Sequence, residues 1–224
     1  MYPDPRSEKC REIDVLANDP DFYGIVNISA VVECKASSSP WVVLTSNDTL
    51  LGYNRLHAMC VSSDAGKEAV FGQVARLGGK QKPAALEMPD RCGYGLRQAF
   101  AKDHDPAYAA CVSLLTASSV VTEDNGSKIA PRLAFAFPVL VVDSPIFECD
   151  LQPDGNLSLR EVEASTLLFS AYLPSHVASR IHIVRSERLD DVAIDLKTSA
   201  NDLRLFLAPK EAEVRNGWRK GADA

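Results

Sequence analysis

The order of elements along this chain predicts a mixed fold, α/β or α+β. Three observations carry that reading. Short extended segments open the sequence, one strongly signalled helix sits near its middle, and a wholly apolar ten-residue run, Leu133–Val142, follows that helix. A chain of 224 residues corresponds to roughly 1.5 typical domains. We read it as one domain over 1–224, with a core at 8–143 and a β-rich C-terminal elaboration at 144–224.

Arg11-Glu-Ile-Asp-Val-Leu-Ala17 alternates like a strand, as do Ile28–Lys35 and Trp41–Thr45. Asn18-Asp-Pro-Asp-Phe-Tyr-Gly24 is turn chemistry, so the first two strands are expected to pair antiparallel. Ser37–Ser39 reads as a turn, and Trp41 as a core residue. A helix-like stretch near Asn47–Val61 precedes a segment, Ser62–Gly93, whose glycines suggest irregular backbone. Asp105-Pro106 then announces a helix through Val121: Asp caps well, and proline suits a position that needs no amide. Tyr108, Cys111, Val112 and Leu115 are expected on one face of it. Leu133–Val142 is too apolar to face water on either side. Phe147–Leu151 and Leu157–Val162, joined by Pro153-Asp-Gly-Asn156, read as a hairpin. Extended segments at Ser165–Leu173 and Ile181–Val184 precede a final helix with a Val192, Leu196, Ser199, Leu203 stripe.

Composition excludes several classes. With 46% hydrophobic and 24% charged residues, the chain is neither disordered nor collagen-like. No apolar run approaches the ~20 residues of a bilayer span, and no signal stretch opens the sequence, so a cytoplasmic protein without a membrane partner is expected. Six cysteines without a C-x-x-C pattern make neither a zinc framework nor a secreted scaffold. Cys34, Cys60 and Cys111, in apolar surroundings, read as buried thiols. The net charge of −6 argues against simple coating of nucleic acid. The charge is uneven, however. Residues 54–102 hold 8 basic and 4 acidic groups, while residues 1–53 hold 4 basic and 8 acidic.

That opening acidic surplus has a chemical reading. Strand alternation puts Glu12 with Asp14, and Glu33 with Lys35. Across a paired hairpin, carboxylates and an ammonium would converge on strands that otherwise feed a core. Such charges are costly to bury without a counter-charge. A divalent cation resolves the cost, and hard oxygen ligands suit Mg²⁺, or Mn²⁺ in its place. Lys35 would then orient or deprotonate a water, or stabilise charge on a phosphate oxygen. The plain alternative is a solvated Glu-x-Lys ion pair worth about 0.2–1 kcal/mol.

Asp14, an eighteen-residue gap, and Glu33-Cys34-Lys35 closing an apolar strand resemble the core of the PD-(D/E)XK nuclease superfamily. The wording around them, with Pro40-Trp-Val-Val-Leu-Thr45, is similar to bacterial restriction-endonuclease-like proteins. The resemblance is strong over residues 8–46, and Phe137–Asp143 fits a buried strand of such proteins. It implies a restriction-endonuclease-like mixed central sheet flanked by helices. It also implies Asp14, Glu33 and the Cys34 carbonyl as metal ligands, Lys35 serving the attacking water, and an endonuclease cutting DNA rather than RNA. The family places a helix and a strand before the Asp-bearing strand; only thirteen residues precede Asp14 here, so the expectation is either a piece of a longer protein or a core without that pair. Glu12 would partly substitute for a missing ligand.

Arg76, Lys80, Lys82 and Arg91, in the glycine-rich segment, are expected to contact the nucleic-acid backbone. Gly78-Gly-Lys-Gln81 lacks the residues of a phosphate-binding P-loop. A homodimer or larger complex is compatible with this reading. The alternative function is a catalytically weak nuclease-like module that binds nucleic acid or protein partners in a larger assembly.

Overall fold

The computed structural model describes residues 2–3, 10–19, 21, 23–49, 59–78, 83, 91–101, 105–123, 131–173 and 175–222. Two short strands, β1 (Tyr2–Pro3) and β2 (Cys10–Arg11), pair antiparallel as a separate ribbon. The remaining strands are β3 (Val15–Asp19), β4 (Val26–Lys35), β5 (Trp41–Ser46), β6 (Val61–Ser62), β7 (Cys92–Gln98), β8 (Leu133–Val142), β9 (Ile146–Leu151), β10 (Leu157–Val162), β11 (Ala164–Leu173) and β12 (Ser175–Arg185). They form one ten-stranded mixed sheet in the order β10-β9-β5-β7-β11-β12-β8-β4-β3, with β6 pairing β8 off that path. Three helices pack on it: α1 (Asp64–Arg76), α2 (Pro106–Thr122) and α3 (Leu189–Ala222).

The sheet has to coil on itself. Strands β8 and β9 lie five places apart in its order, yet only Asp143, Ser144 and Pro145 join them. Five strand spacings measure about 24 Å when flat, whereas four Cα steps reach about 14 Å. Strands β4 and β5 repeat the problem, joined only by Ala36–Pro40. Twist of about 20–25° per step accumulates to roughly 100–125° over five steps, enough to bring the second half of the sheet across the first. Both pairs turn one corner together, β4 parallel to β8 before it and β5 parallel to β9 after it. Hydrogen bonds lock the corner: the Ser37 amide donates to the Asp143 carboxylate at 2.8 Å, and the Trp41 amide to the Pro145 carbonyl at 2.9 Å.

Helix α2 fills the trough this coil makes. Its buried Ala107, Ala110, Cys111, Leu114 and Leu115 join Val31, Trp41, Val43, Ala136, Leu140, Ile146, Leu167 and Ile181 in one core, which draws on both halves of the sheet. Helices α1 and α3 cover the other face, against Ile28, Leu133, Phe135, Phe137 and Leu168. Strand β8 is therefore buried on both sides, with all ten residues inaccessible. Gly93 marks where the second half closes tightly: a Cβ there would overlap Val43 and lie 2.9 Å from the Thr166 carbonyl oxygen.

The β3–β4 pair, β5, α2 with its Asp105 cap, β8 and the β9–β10 hairpin match the sequence expectations. Other expectations are corrected. The Ser62–Gly93 segment contains helix α1, capped by the Ser63 hydroxyl on the Gly66 amide at 3.1 Å. Val61, read as the end of a helix, lies in β6, and residues 50–58 of that expected helix lie outside the described residues. On α2, Tyr108 points outward and is half-exposed, because the trough takes residues 107, 110, 111 and 114. Within the β-rich 144–224 half, β11 and β12 occupy the middle of the sheet. Among the described residues no helix is long and apolar enough to cross a membrane.

Candidate metal centre

Strands β3 and β4 pair from Val15 against Val32 to Asp19 against Ile28. One step further, the register sets Asp14 across from Glu33. Asp14 lies in a bend just before β3, and its Oδ2 accepts the Cys34 amide at 2.7 Å. The carboxylate thus continues the ladder where backbone pairing stops. Along β4 the side chains alternate. Val31, Glu33 and Lys35 face α2, while Val32 and Cys34 face the α3 side.

On the α2 side Lys35 Nζ forms an ion pair with Glu33 Oε1, and Glu33 Oε2 accepts the Ser113 hydroxyl of α2 at 3.3 Å. The Glu33 side chain is 13% exposed and that of Lys35 36%, so the pair sits at the mouth of the trough rather than beneath it. The Cys34 thiol senses all three charges. Although the residue is exposed, partial desolvation of the thiol pushes its pKa up first, then Asp14 and Glu33 add to the rise, and Lys35 opposes it. The Asp14–Cys34 hydrogen bond and the Glu33–Lys35 ion pair set two carboxylates and an ammonium at the end of one strand pair.

Among the described residues, no three His, Cys, Asp or Glu side chains gather into a ready-made ligand group. The donors present are the Asp14 and Glu33 carboxylates and strand carbonyls. That all-oxygen set, short of a full protein cage, fits Mg²⁺, which takes one or two carboxylates and keeps several waters.

Other expected site residues are placed differently. Glu12 is exposed and lies outside any strand, so the alternation that joined it to Asp14 does not apply. The Cys34 thiol is exposed rather than buried; Cys60, Cys92 and Cys111 are the buried ones. Arg76 sits exposed in the last turn of α1, not in a glycine-rich loop. Lys80 and Lys82 lie outside the described residues. Arg91 is turned inward: its guanidinium pairs with Asp150 at 2.6 Å and donates twice to the Thr45 hydroxyl, at 2.6 and 2.9 Å. It is a strut between β5 and β9, and that inward pairing replaces the free phosphate contact expected of it.

The opening acidic surplus is also partly structural. Asp19 at the end of β3 and Asp21 in the β3–β4 connection both pair with Arg204 of α3, and Asp21 accepts the Val26 amide at 2.8 Å. Sequence reasoning missed Ser113, which nothing but the packing of α2 against β4 would identify. Compared with protein-family models, curated proteins and solved structures, the chain finds no match in any of the three.

Proposed function

We propose that this protein is a Mg²⁺-dependent nuclease that hydrolyses phosphodiester bonds of DNA, within a restriction-endonuclease-like fold. The observation that supports it best is the Asp14 carboxylate held on the amide of Cys34, the residue between Glu33 and Lys35. This puts an Asp, a Glu and a Lys at the open end of a single strand pair, on a mixed sheet covered by helices on both faces.

Asp14 and Glu33, with the Cys34 carbonyl, would hold the cation. A bound Mg²⁺ supplies Lewis-acid polarisation of a phosphate oxygen and a lowered pKa for an attacking water. The chain's own residues do the positioning. Asp14 is fixed by the backbone and Glu33 by Ser113, so neither carboxylate needs to reorganise far. Lys35, on a flexible stem at the mouth of the trough, can leave Glu33 for the water or for the charge growing on a phosphate oxygen.

The closed Glu33–Lys35 pair favours one second reading, a catalytically weak module that binds nucleic acid without cutting it. Incubation of supercoiled plasmid with Mg²⁺ or Mn²⁺ separates the two. The nuclease reading expects nicked or linear product from wild type and none with chelator or with Glu33→Gln. Plasmid left intact by wild type in both metals, yet retarded in a gel, favours the binding module.

A further inference from the structure

A second cavity, of about 1030 Å³, opens where the parallel strands β5 and β9 end, beyond Ser46 and Leu151. It is built from segments other than those of the metal centre. Its floor is the Arg91 guanidinium, clamped to Thr45 and Asp150. Its walls include Tyr94, Phe169, Asn47 and Gln152.

The lining selects a ligand class. Asp48 and Asp150 outnumber Arg91, so a phosphate gains little here, while Arg91 at the floor disfavours a cation. Two aromatic residues line it, of which Tyr94 is the exposed one that a flat group can stack on. Tyr94 is 60% exposed, and Phe169 is held edge-on by Tyr108 with ring centres 5.7 Å apart. Asn47 carries an amide donor–acceptor pair that matches a base edge, and Gln152, whose Nε2 already donates to Asp150, keeps its oxygen and a second N–H. We infer that this cavity binds a nucleobase, stacked on Tyr94 and read by the side-chain amides at its wall. The base would come either from a free nucleoside or from a strand that has turned one base out of its stack.

The test measures binding by the full chain in chelator, so it neither requires nor reports cleavage, and its failure is distinct from failure of the nuclease reading. Adenosine is titrated calorimetrically, with ribose as control, and a single-stranded oligonucleotide is then added as competitor. Saturable adenosine binding, absent for ribose, is expected. Tyr94→Ala should weaken it by about tenfold or more, the loss of one base–aromatic stack. Tyr94→Phe should stay within about threefold of wild type, because the ring face remains. An oligonucleotide that displaces adenosine shows that bases within a strand enter; one that does not restricts the site to free nucleosides. The inference is overturned if adenosine fails to bind, if ribose binds as tightly, or if Tyr94→Ala leaves the affinity unchanged.

Discussion

The two ends of the bent strands use charge in opposite ways. At the end of β4, Glu33 and Lys35 are two residues apart on one strand, and Asp14 joins them through a backbone amide at the rim. At the far end of β5, Arg91 ties together Thr45 and Asp150, residues about a hundred positions apart in the chain, with Glu148 4.0 Å away. Both clusters are half-buried, but the ion pair of the first joins two residues of one strand at its end, so little of the fold depends on it. The second is long-range, so removing Arg91 leaves Asp150 and the Thr45 hydroxyl without their shared partner between two strands. Charge that is expendable for folding is available for chemistry.

The sharpest break in this comparison is Lys35→Ala. Metal-dependent cleavage should fall by about a hundredfold or more, the scale of a lost charge-stabilising group, while the unfolding free energy moves by less than about 1 kcal/mol. Plasmid cleavage rates and urea denaturation read the two effects. The mirror experiment is Arg91→Ala. Asp150 and the Thr45 hydroxyl would lose the guanidinium, whereas Glu148 keeps Arg160 at 2.8 Å and the Ser165 hydroxyl, so stability should fall by about 1–2 kcal/mol. An unchanged urea midpoint for this variant would make the Arg91 cluster as dispensable as the β4 end, and the contrast would disappear.

A smaller effect concerns the sheet between the two ends. His182 on β12 has its pKa pushed down to about 3, by burial first and then by the charge of Arg180. The ordinary value near 6.5 belongs to the unfolded chain, which therefore takes up a proton that the native state refuses. Stability is full above pH 6.5 and declines as the pH falls toward 3. The residue as a whole is only half-buried, so we expect about 1 kcal/mol lost between pH 7 and pH 5, roughly half the full linkage value. His182→Gln should flatten that slope in denaturation curves taken at each pH. The smallest effect is that of Arg76→Ala, at the exposed end of α1. It should reduce the salt dependence of DNA binding by about one phosphate contact and leave folding unchanged.

Much of the fold was legible because its signals are local. The Asp105-Pro106 start of α2, the Pro153–Asn156 turn and the ten apolar residues of β8 each declare themselves within a short window. Helix α1 was not legible. Gly66 and Gly72 read as loop, whereas the helix is secured by its Ser63 cap and by Ala69 and Val70 packed in the core. The sheet order was hidden for a different reason: it is set by a corner at Ser37–Pro40 and Asp143–Pro145, whose hydrogen bonds span about a hundred residues. The same division runs through the candidate site. Glu33 and Lys35 follow from strand alternation and Asp14 from its spacing, but Ser113 depends on how α2 settles into the trough. The pairing of Arg91 is hidden in the sequence because its partner Asp150 comes from a distant strand.

The most direct measurement of the central claim is a Mn²⁺ titration followed by electron paramagnetic resonance. It is made with a non-cleavable phosphorothioate duplex present, so that phosphate oxygens can complete the coordination. One Mn²⁺ per chain should bind wild type, and Asp14→Asn or Glu33→Gln should weaken it by about tenfold or more. Equal Mn²⁺ affinity in wild type and both variants would contradict a metal centre at the end of β4.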